Sequence, residues 1–435
     1  MAWNKIKLGE ILTESKIISD NPNSNKRIRV RLNLEGVEKR PETNDKSGAT
    51  QYYKRKSNQF IYGKQNLFKG AFGIIPKDLD GFESSSDLPA FDIDESCSPE
   101  WIFYYFKQGN FYETLVSLST GTGSRRVQPK KLYELEIPLP SIEEQNKIIQ
   151  KIKEKEKIFE NLQSDFDAQL LLFKKLRERI HQEAVSGELV EQNPQDEPAS
   201  ILLEKIKKEK EELIKEKKIK KDKPLREIGE EEIPYQLPNN WKWVRLGEIC
   251  IFNPRNYLDD ELEVSFIPMK LIKDGFYNKH SSEIRKWKEI KSGFTHFAER
   301  DLVFAKITPC FENRKSALLK NLKNNFGAGT TELIVLRTYK ELVLPELLFI
   351  LIKSENFIKL GTSTYTGTAG QQRVKTEVIR NMVIGLPPLN EQQRIVEKVD
   401  TLMQFCDELE EEINNSKEQS QQLMQSVLRE AFKEE

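Results

Sequence analysis

The chain has 435 residues, of which 37% are hydrophobic and 32% charged, and its mean hydropathy is negative. This length allows two or three domains, and the composition is typical of a soluble, helix-rich protein. No apolar run approaches a membrane span and the N-terminal segment lacks the apolar core of a signal peptide, so we expect a cytoplasmic protein with no membrane partner.

The cysteines and histidines are too scattered to suggest a shared metal site or a disulfide framework. We expect the cysteines to be buried as small apolar side chains, and the histidines to have packing or surface roles. These residues are Cys97, Cys250, Cys310, Cys406, His181, His280 and His296.

Positive charge is concentrated in two parts of the chain, although the formal net charge of the whole is zero. Residues 1–140 carry 21 basic and 18 acidic side chains, and residues 240–387 carry 23 and 16. The remaining stretches are acidic, with 20 basic and 23 acidic side chains in residues 141–239 and 5 and 12 in residues 388–435. This distribution is compatible with two domains that contact nucleic acid, and also with an ordinary solvated surface.

The sequence elements of the first half recur in the second half in the same order. Short apolar runs predict strands, and apolar segments with proline in the first turn predict helices in both halves. The matching pairs are WNKIKLGEI (3–11) with WKWVRLGEI (241–249), PEWIFYYF (99–106) with PELLFILI (345–352), and GTGSRRV (121–127) with GTAGQQRV (367–374). Ordered pairs of this kind indicate an internal duplication.

A proline-bounded junction, IPLPSIEEQNKI (137–148), returns 247 residues later as IGLPPLNEQQRI (384–395). Each copy runs into a helical pattern with apolar residues at alternating four- and three-residue steps, which predicts a coiled-coil seam. In the first helix the predicted seam residues are Ile148, Ile152, Phe159, Leu162, Phe166, Phe173, Leu176 and Ile180. In the second helix they are Ile395, Val399, Leu402, Leu409, Ile413, Leu423 and Val427.

Neither helix can bury a narrow apolar stripe alone, so we expect the two to pair with each other. The chain path favours an antiparallel pair with one globular domain at each end of a rod about 50 Å long. The predicted fold is α+β: two duplicated mixed α/β domains, joined by long helices that form an antiparallel intramolecular coiled coil with pseudo-twofold symmetry. The predicted boundaries are 1–140 for the first domain, 141–240 for a central helical region and linker, 241–387 for the second domain, and 388–435 for a C-terminal helix.

The central region contains the first seam helix, at about residues 141–185, and a highly charged helix at about residues 198–221. The lysine-rich end of the charged helix could contact phosphates, or it could be a solvated helix end whose lysines complement the helix dipole. A linker with two prolines, EEEIPYQLPNN (230–240), leads into the second domain.

Sequence motifs for catalysis are weak in this chain, which has neither a glycine-rich dinucleotide loop nor a Walker loop. FNPRNY (252–257) only partly matches the Asn-Pro-Pro-Tyr loop of adenine methyltransferases, because Arg255 and Asn256 replace the second proline and the aromatic residue. In ERDLVFAKITPCFENRK (299–315) the acid and lysine lack the spacing of metal-dependent nucleases. We therefore predict no catalytic residue, no bound metal and no bound cofactor.

Together these segments resemble the specificity subunit of Type I restriction-modification systems over essentially the whole chain. The resemblance rests on the paired LGEI openings, the paired LPxxxEQ junctions before long helices, DLVFAKITPCFENRK (301–315), and EEEIPYQLPNNWKWVRLGEI (230–249). It also includes the ending LMQSVLREAF (423–432), which is echoed by LRERIHQEAV (176–185).

The resemblance implies two target-recognition domains that each read one half of a split, asymmetric site in double-stranded DNA, with the helices acting as a ruler. It implies a chain that is not an enzyme by itself. Such a chain docks two modification subunits, which methylate adenine with S-adenosylmethionine, and the assembly can recruit restriction subunits that use ATP and Mg.

We predict DNA contacts from side chains on the glycine loops, on the segment NKRIRVRL (25–32) and near residue 314, because Arg, Lys and Gln can contact phosphates or base edges. The loops could instead only turn the chain, and the segment could be a solvated strand face. The predicted DNA-binding residues are Arg27, Arg29, Arg31, Arg125, Arg126, Lys130, Arg314, Lys315, Gln371, Gln372, Arg373 and Lys375.

Two other functions remain open at this point. The first is a non-enzymatic coiled-coil adaptor that binds proteins through its two duplicated domains and has no DNA partner. The second is a stand-alone modification enzyme with an unrecognised catalytic domain. A DNA complex that dissociates with salt would exclude the adaptor, and S-adenosylmethionine binding by the isolated chain would favour the enzyme.

Overall fold

The computed structural model describes residues 3–41, 50–121, 124–221, 224–339, 342–368 and 370–433. The chain divides into two compact units: unit 1 comprises Met1–Ala168 with Ile413–Glu435, and unit 2 comprises Gln169–Glu412. Helices α5 (Ile142–Ser186) and α12 (Leu389–Ala431) contribute to both units. The predicted domain boundaries stay predictions, because each unit combines one predicted globular domain with parts of these helices.

Unit 1 is built around an antiparallel four-stranded sheet with strand order β2-β9-β6-β7, accompanied by the ribbons β1-β10, β3-β4 and β5-β8. Its main core includes the fully buried residues Phe60, Phe91 and Trp101. The strands are β1 (Asn4–Lys7), β2 (Leu12–Glu14), β3 (Ile28–Val30), β4 (Val37–Lys39), β5 (Tyr52–Lys54), β6 (Phe60–Tyr62), β7 (Phe72–Ile74), β8 (Glu83–Ser85), β9 (Ala90–Ile93) and β10 (Glu136–Leu139). The short helices are α1 (Leu8–Ile11), α2 (Pro99–Lys107), α3 (Phe111–Thr114) and α4 (Pro129–Leu132).

Unit 2 contains the four-stranded sheets β12-β19-β16-β17 and β14-β13-β18-β15, together with the ribbon β11-β20. In the second sheet β13 and β18 are parallel, and the other pairs are antiparallel. The strands are β11 (Lys242–Arg245), β12 (Cys250–Phe252), β13 (Glu263–Ile267), β14 (Glu283–Lys286), β15 (Thr295–Ala298), β16 (Leu302–Ala305), β17 (Ser316–Leu318), β18 (Phe326–Gly329), β19 (Leu333–Thr338) and β20 (Val383–Leu386). The helices are α6 (Ala199–Lys215), α7 (Leu246–Ile249), α8 (Trp287–Ile290), α9 (Pro345–Lys353), α10 (Glu355–Ser363) and α11 (Thr376–Arg380).

The two units share one strand plan, which confirms the predicted duplication of a mixed α/β domain. The order β2-β9-β6-β7 in unit 1 corresponds to β12-β19-β16-β17 in unit 2, and the ribbon β1-β10 corresponds to β11-β20. The units differ beyond this frame, because unit 2 adds a second four-stranded sheet where unit 1 has short ribbons. A shared frame with different additions is the form expected of a duplication whose halves have diverged.

The repeated opening of each half fixes the first strand to the following long helix. The indole nitrogen of Trp3 donates to Glu144 Oε1 at 3.3 Å, and that of Trp241 donates to Glu391 Oε1 at 2.9 Å. Trp3 and Trp241 occupy equivalent positions in the openings, as Glu144 and Glu391 do in the junctions. The opening and the junction therefore recur together because they form one contact.

Helices α5 and α12 pack as an antiparallel pair within unit 1, as predicted. Gln163 Nε2 donates to Ser420 Oγ at 2.7 Å, and Lys417 Nζ lies 2.6 Å from Asp167 Oδ1. Later residues of α5 therefore face earlier residues of α12. The side chains between them form a narrow coiled-coil interface.

Two residues of the predicted seam on α5 are exposed instead of buried. Leu162 is 39% exposed and Leu176 is 42% exposed. The residues that turn inward are instead the next ones along the helix, Gln163 in unit 1 and Arg177 in unit 2. Arg177 is buried because its Nη2 pairs with Asp407 at 2.6 Å and with Glu410 at 2.9 Å. Polar partners on α12 therefore determine which side chain of α5 faces the interface. The apolar pattern of α5 alone does not reveal this choice.

One further correction to the seam falls on α12. Leu423 is 66% exposed, and the adjacent Met424 is buried in its place. The other predicted seam residues are buried or half-buried: Ile148, Ile152, Phe159, Phe166, Phe173, Ile180, Ile395, Val399, Leu402, Leu409, Ile413 and Val427.

The charged helix α6 is shorter than predicted. It ends at Lys215 instead of near residue 221, because Lys217 adopts the left-handed backbone conformation (φ 59°) that terminates helices. Its apolar side packs into the main core of unit 2 through Leu202, Leu203 and Ile206. Within the described ranges, no helix combines the length and the apolar character needed to span a membrane.

Candidate nucleic-acid interface

Both glycine loops predicted to contact DNA are short turns closed by a single β-bridge. The bridge joins Thr120 to Arg126 in unit 1 and Thr366 to Arg373 in unit 2. Gly121 and Gly367, the residues after the two threonines, have φ values of 113° and 120°, a conformation that favours glycine. Parts of the predicted loops, residues 122–123 and 369, lie outside the described residues.

In unit 1 an acidic residue, a lysine and the loop arginine hold the glycine loop in place. Arg126 Nη1 lies 3.2 Å from Asp87 Oδ1. The backbone nitrogen of Lys64 donates to the Asp87 carbonyl at 3.0 Å, and the backbone nitrogen of Val127 donates to the Lys64 carbonyl at 2.8 Å. The loop is therefore attached to the end of strand β6 and to the turn before β9.

Unit 2 builds its loop with the same set of contacts. Arg373 Nη2 lies 2.8 Å from Glu332 Oε1, and this guanidinium is the main reason that the pKa of Glu332 is lowered. The backbone nitrogen of Lys306 donates to the Glu332 carbonyl at 2.9 Å, and that of Val374 donates to the Lys306 carbonyl at 2.9 Å. Glu332, Lys306 and Arg373 therefore correspond to Asp87, Lys64 and Arg126.

This shared construction separates the predicted loop residues into two groups. Arg126 and Arg373 form the backbone bridges that close the loops, and their side chains, 40% and 42% exposed, make ion pairs with Asp87 and Glu332. Gln372 is half-buried, and its backbone exchanges hydrogen bonds with Thr308. The exposed predicted side chains are Arg125 and Lys130 in unit 1 and Gln371 and Lys375 in unit 2. Arg125 and Gln371 lie on the glycine loops, Lys130 lies in helix α4, and Lys375 is the residue before helix α11.

Two lysines at these sites were missed by sequence reasoning. Lys64 lies two residues after strand β6, and Lys306 directly follows strand β16. Both lysines are half-buried beneath the glycine loops. Their only sequence signal is a lysine just after an apolar run, which is common on protein surfaces. Their equivalence becomes visible only when the contacts with Asp87 and Glu332 are known.

Arg27 is built into the domain instead of projecting from it. It is 7% exposed, its Nη1 lies 2.6 Å from Glu83 Oε2, and its guanidinium lies 3.2 Å from the ring centroid of Tyr52. Ser19 and the backbone of Asn23 donate to the same carboxylate. A phosphate contact by Arg27 would require this buried pair to separate, which is costly.

Arg29 and Arg31 lie on and just after strand β3 with about 43% of each side chain exposed. Arg29 pairs with Glu38, and Arg31 pairs with Glu35. Exposed pairs of this kind are weak. Both guanidinium groups can therefore exchange a carboxylate for a phosphate at small cost.

Arg314 and Lys315 are held by neighbouring groups. Arg314 is 9% exposed, donates from Nε to the Lys353 carbonyl at 2.9 Å, and places Nη2 2.5 Å from Glu355 Oε2. Lys315 is half-buried and its Nζ lies 3.3 Å from the Met269 carbonyl. Their geometry supports the loop between β16 and β17 more directly than it supports an external contact.

The exposed side chains on the two loops can perform two kinds of recognition. Lysine and arginine on a fixed loop can contact phosphates, which sets affinity and register. Arginine and glutamine can also make paired hydrogen bonds to base edges, which sets sequence preference. In the residues that the structure describes, no group of three or more His, Cys, Asp or Glu side chains could hold a metal ion.

Residues 238–419 match the family model described as Type I restriction modification DNA specificity domain. Among curated proteins, the Type I restriction enzyme EcoAI specificity subunit of Escherichia coli is 50% identical over 256 residues, which is 59% of this chain and 44% of that protein. The chain thus spans less than half the length of this relative.

Solved structures show the same fold. A chain from a structure described as the "Structural basis underlying complex assembly and conformational transition of the type I R-M system" aligns with a TM-score of 0.62 at 17% identity, covering 99% of this chain and 98% of that one. The HsdS subunit from Thermoanaerobacter tengcongensis aligns with a TM-score of 0.51 at 17% identity, covering 99% and 96%.

The duplicated frame with its paired loops defines a class of protein with two similar mixed α/β domains and long helices. The sequence comparisons show that residues 238–419 match the Type I DNA specificity domain and that the chain is similar to specificity subunits of Type I restriction-modification systems. The structural comparison shows the same fold.

Proposed function

We propose that this chain selects a bipartite, asymmetric sequence in double-stranded DNA as the non-catalytic specificity subunit of a Type I restriction-modification complex. The proposal depends most on one observation. The two glycine loops have the same supporting contacts but different exposed side chains on them and just after them, Arg125 and Lys130 in unit 1 and Gln371 and Lys375 in unit 2. Equivalent loops with different side chains suit two domains that each recognise a different half-site.

Two linked readers also give an energetic advantage. A good base contact provides roughly 1–3 kcal/mol of discrimination. When the second domain is tethered to the first, it binds its half-site at a high effective concentration, so the selectivities of the two domains multiply. The net charges of +3 and +7 in residues 1–140 and 240–387 favour the approach of DNA to both domains.

The proposed partners follow from the family and from the charge distribution. Two modification subunits would supply adenine methylation with S-adenosylmethionine, and ATP- and Mg-dependent restriction subunits would join the same assembly. The acidic stretches, residues 141–239 and 388–435, suit protein partners better than DNA. We place the complex in the cytoplasm, where the cell's DNA is accessible. The family match does not favour a protein-only adaptor.

The direct test is a binding measurement on the chain with its modification subunit. Fluorescence anisotropy should be measured with a labelled duplex that contains the sequence methylated by the complex, and with a scrambled duplex. The first duplex should bind more tightly than the second. Affinity should fall by orders of magnitude between about 50 and 200 mM salt, because several phosphates are neutralised. Equal binding of both duplexes, or an affinity independent of salt, would contradict the proposal.

A further inference from the structure

A cavity of about 860 Å³ lies within unit 2, among helices α9, α10 and α11 and strands β11 and β20. Its wall is largely apolar and includes Leu347, Leu351, Val185 and Phe357. This volume lies within the range of about 300–1,000 Å³ that is usual for small-molecule sites. None of the exposed loop side chains discussed above lines it, apart from Lys375.

Unit 1 has aromatic rings at the positions where unit 2 has aliphatic lining residues. The corresponding pairs, taken from the repeated segments, are Leu347 with Trp101, Leu351 with Tyr105, and Val185 with Phe432. In unit 1 the ring centroid of Phe432 lies 4.6 Å from that of Trp101 and 5.5 Å from that of Tyr105. The smaller side chains of unit 2 therefore leave space where unit 1 holds packed rings.

Positive charge predominates among the lining residues. The charged ones are Arg226, Arg245, Lys359, Lys375, Glu232 and Glu377. Arg245 and Glu232 neutralise each other, since Arg245 Nη2 lies 2.6 Å from Glu232 Oε1. Lys359 is 3.7 Å from Glu355 in an exposed pair, which provides little stabilisation. Arg226, Lys359 and Lys375 are all exposed, so their cationic groups can meet an anion at the rim.

We propose that this cavity binds a small amphiphilic molecule with a flat aromatic or apolar body and one anionic group. The body takes the place of the rings that fill the corresponding region of unit 1, and removing its surface from water drives binding. The anionic group interacts with the cationic side chains. The walls come from several elements of one compact unit, which suits a small molecule better than a segment of a partner protein.

The first experiment uses 1-anilinonaphthalene-8-sulfonate, which combines aromatic rings with a sulfonate. Titration of the full-length chain should show a saturable increase in dye fluorescence. Adding the modification subunit should leave this binding intact. Displacement of the dye by that subunit would overturn the proposal, because the cavity would then be a protein docking site.

Two substitutions test the cavity by introducing the side chains of unit 1. L347W and V185F should each reduce dye binding strongly while raising the midpoint of thermal unfolding, because they fill apolar space. Trp101 Nε1 donates to the Pro138 carbonyl at 2.9 Å, and Gly385 occupies the position equivalent to Pro138, so a tryptophan at 347 has an acceptor nearby. If L347W does not fold, V185F decides the question.

The reverse substitution supplies a matched control. F432V should open space in unit 1 and add dye binding that the wild-type chain lacks. Unchanged dye binding in a folded L347W or V185F chain would overturn the proposal. So would a chain that does not bind the dye at all. Binding to the DNA site can be measured on the same variants, so failure of the cavity proposal can be distinguished from failure of the proposed DNA function.

Discussion

Gln145 connects two helices of unit 1 through Ser98: the side-chain oxygen of Gln145 accepts a hydrogen bond from the backbone nitrogen of Ser98 at 2.8 Å. Ser98 is the residue before helix α2, and Gln145 lies in the first turn of α5. In unit 2, Gln392 accepts from the backbone nitrogen of Leu344 at 2.9 Å, at the start of α9. This contact explains why the junction with its Glu-Gln pair occurs twice.

Replacing Gln145 by leucine should destabilise unit 1 by about 1–3 kcal/mol, since the part-buried backbone nitrogen of Ser98 would lose its partner. Gln145 exposes no measurable surface, and its Nε2 also donates to the Pro140 carbonyl at 2.8 Å. Urea unfolding measures the change. Gln150→Leu is the control, because Gln150 is exposed on the same helix. Equal stability of the two variants would show that the junction glutamine has no such role.

The duplication and the mixed content of strands and helices in each half could be predicted from segments that repeat within the sequence, and the antiparallel helix pair from the apolar seams and the chain path. The order of the strands in each sheet was not predicted. The inward positions of α5 could not be predicted fully. Gln163 is half-buried and Arg177 is buried because Ser420, Asp407 and Glu410 satisfy their polar groups across the interface. An apolar pattern assigns the neighbouring leucines instead, since it contains no information on the facing helix.

The candidate interface shows a similar division. The glycine loops were predictable from their repetition, but the roles of adjacent loop residues were not. Arg125 is exposed, whereas Arg126 pairs with Asp87, which lies 39 residues earlier in the sequence. Only the folded arrangement distinguishes a side chain that projects from a side chain that anchors.

Arg125 and Arg126 should therefore respond differently to substitution. Arg125→Ala should leave thermal stability unchanged and weaken specific DNA binding by about 1–3 kcal/mol, because an exposed contact is lost. Arg126→Ala should also lower the stability of unit 1, but by less than about 1 kcal/mol, because the pair with Asp87 is partly exposed. Calorimetric unfolding and anisotropy on both variants provide the comparison. Identical effects of the two substitutions would contradict the assigned roles.

His181 should make the stability of unit 2 dependent on pH. Burial lowers the pKa of His181 to about 4, and its Nδ1 lies 2.8 Å from the Arg177 carbonyl. Between pH 6.5 and 4 the unfolded chain binds a proton that the folded chain does not, so stability falls as the pH falls through this window. The full effect is at most about 3 kcal/mol.

His181→Leu removes this contribution, and leucine is the residue at the equivalent position of unit 1, Leu428. The variant should lose less stability than the wild-type chain between pH 6.5 and 4 in urea unfolding. Parallel pH curves for the two chains would show that His181 is not the responsible group.

The helices should set the distance between the two half-sites if they act as a ruler. Inserting one heptad after Asp167 and one after Ser416 adds length at facing positions and keeps the seam in register. Each helix becomes about 10.5 Å longer, which corresponds to roughly three base pairs.

Methylation mapping over a library of spacers should show a preference for a spacer longer by two or three base pairs, with both half-sites unchanged. DNA twist will limit the gain, since the added base pairs also rotate the groove. A folded, active variant with the original spacer preference would show that these helices do not set the distance.

The central claim is that the two duplicated domains recognise different half-sites of one DNA target. The most direct measurement is selection of bound duplexes from a random library by the chain with its modification subunit, repeated with a Gln371→Ala, Lys375→Ala double variant. The wild-type complex should enrich two short, different motifs at a fixed distance. The bases of the spacer that separates the two motifs should show no preference. The variant should relax one motif and keep the other. Enrichment of a single continuous motif, or relaxation of both motifs together, would contradict the account.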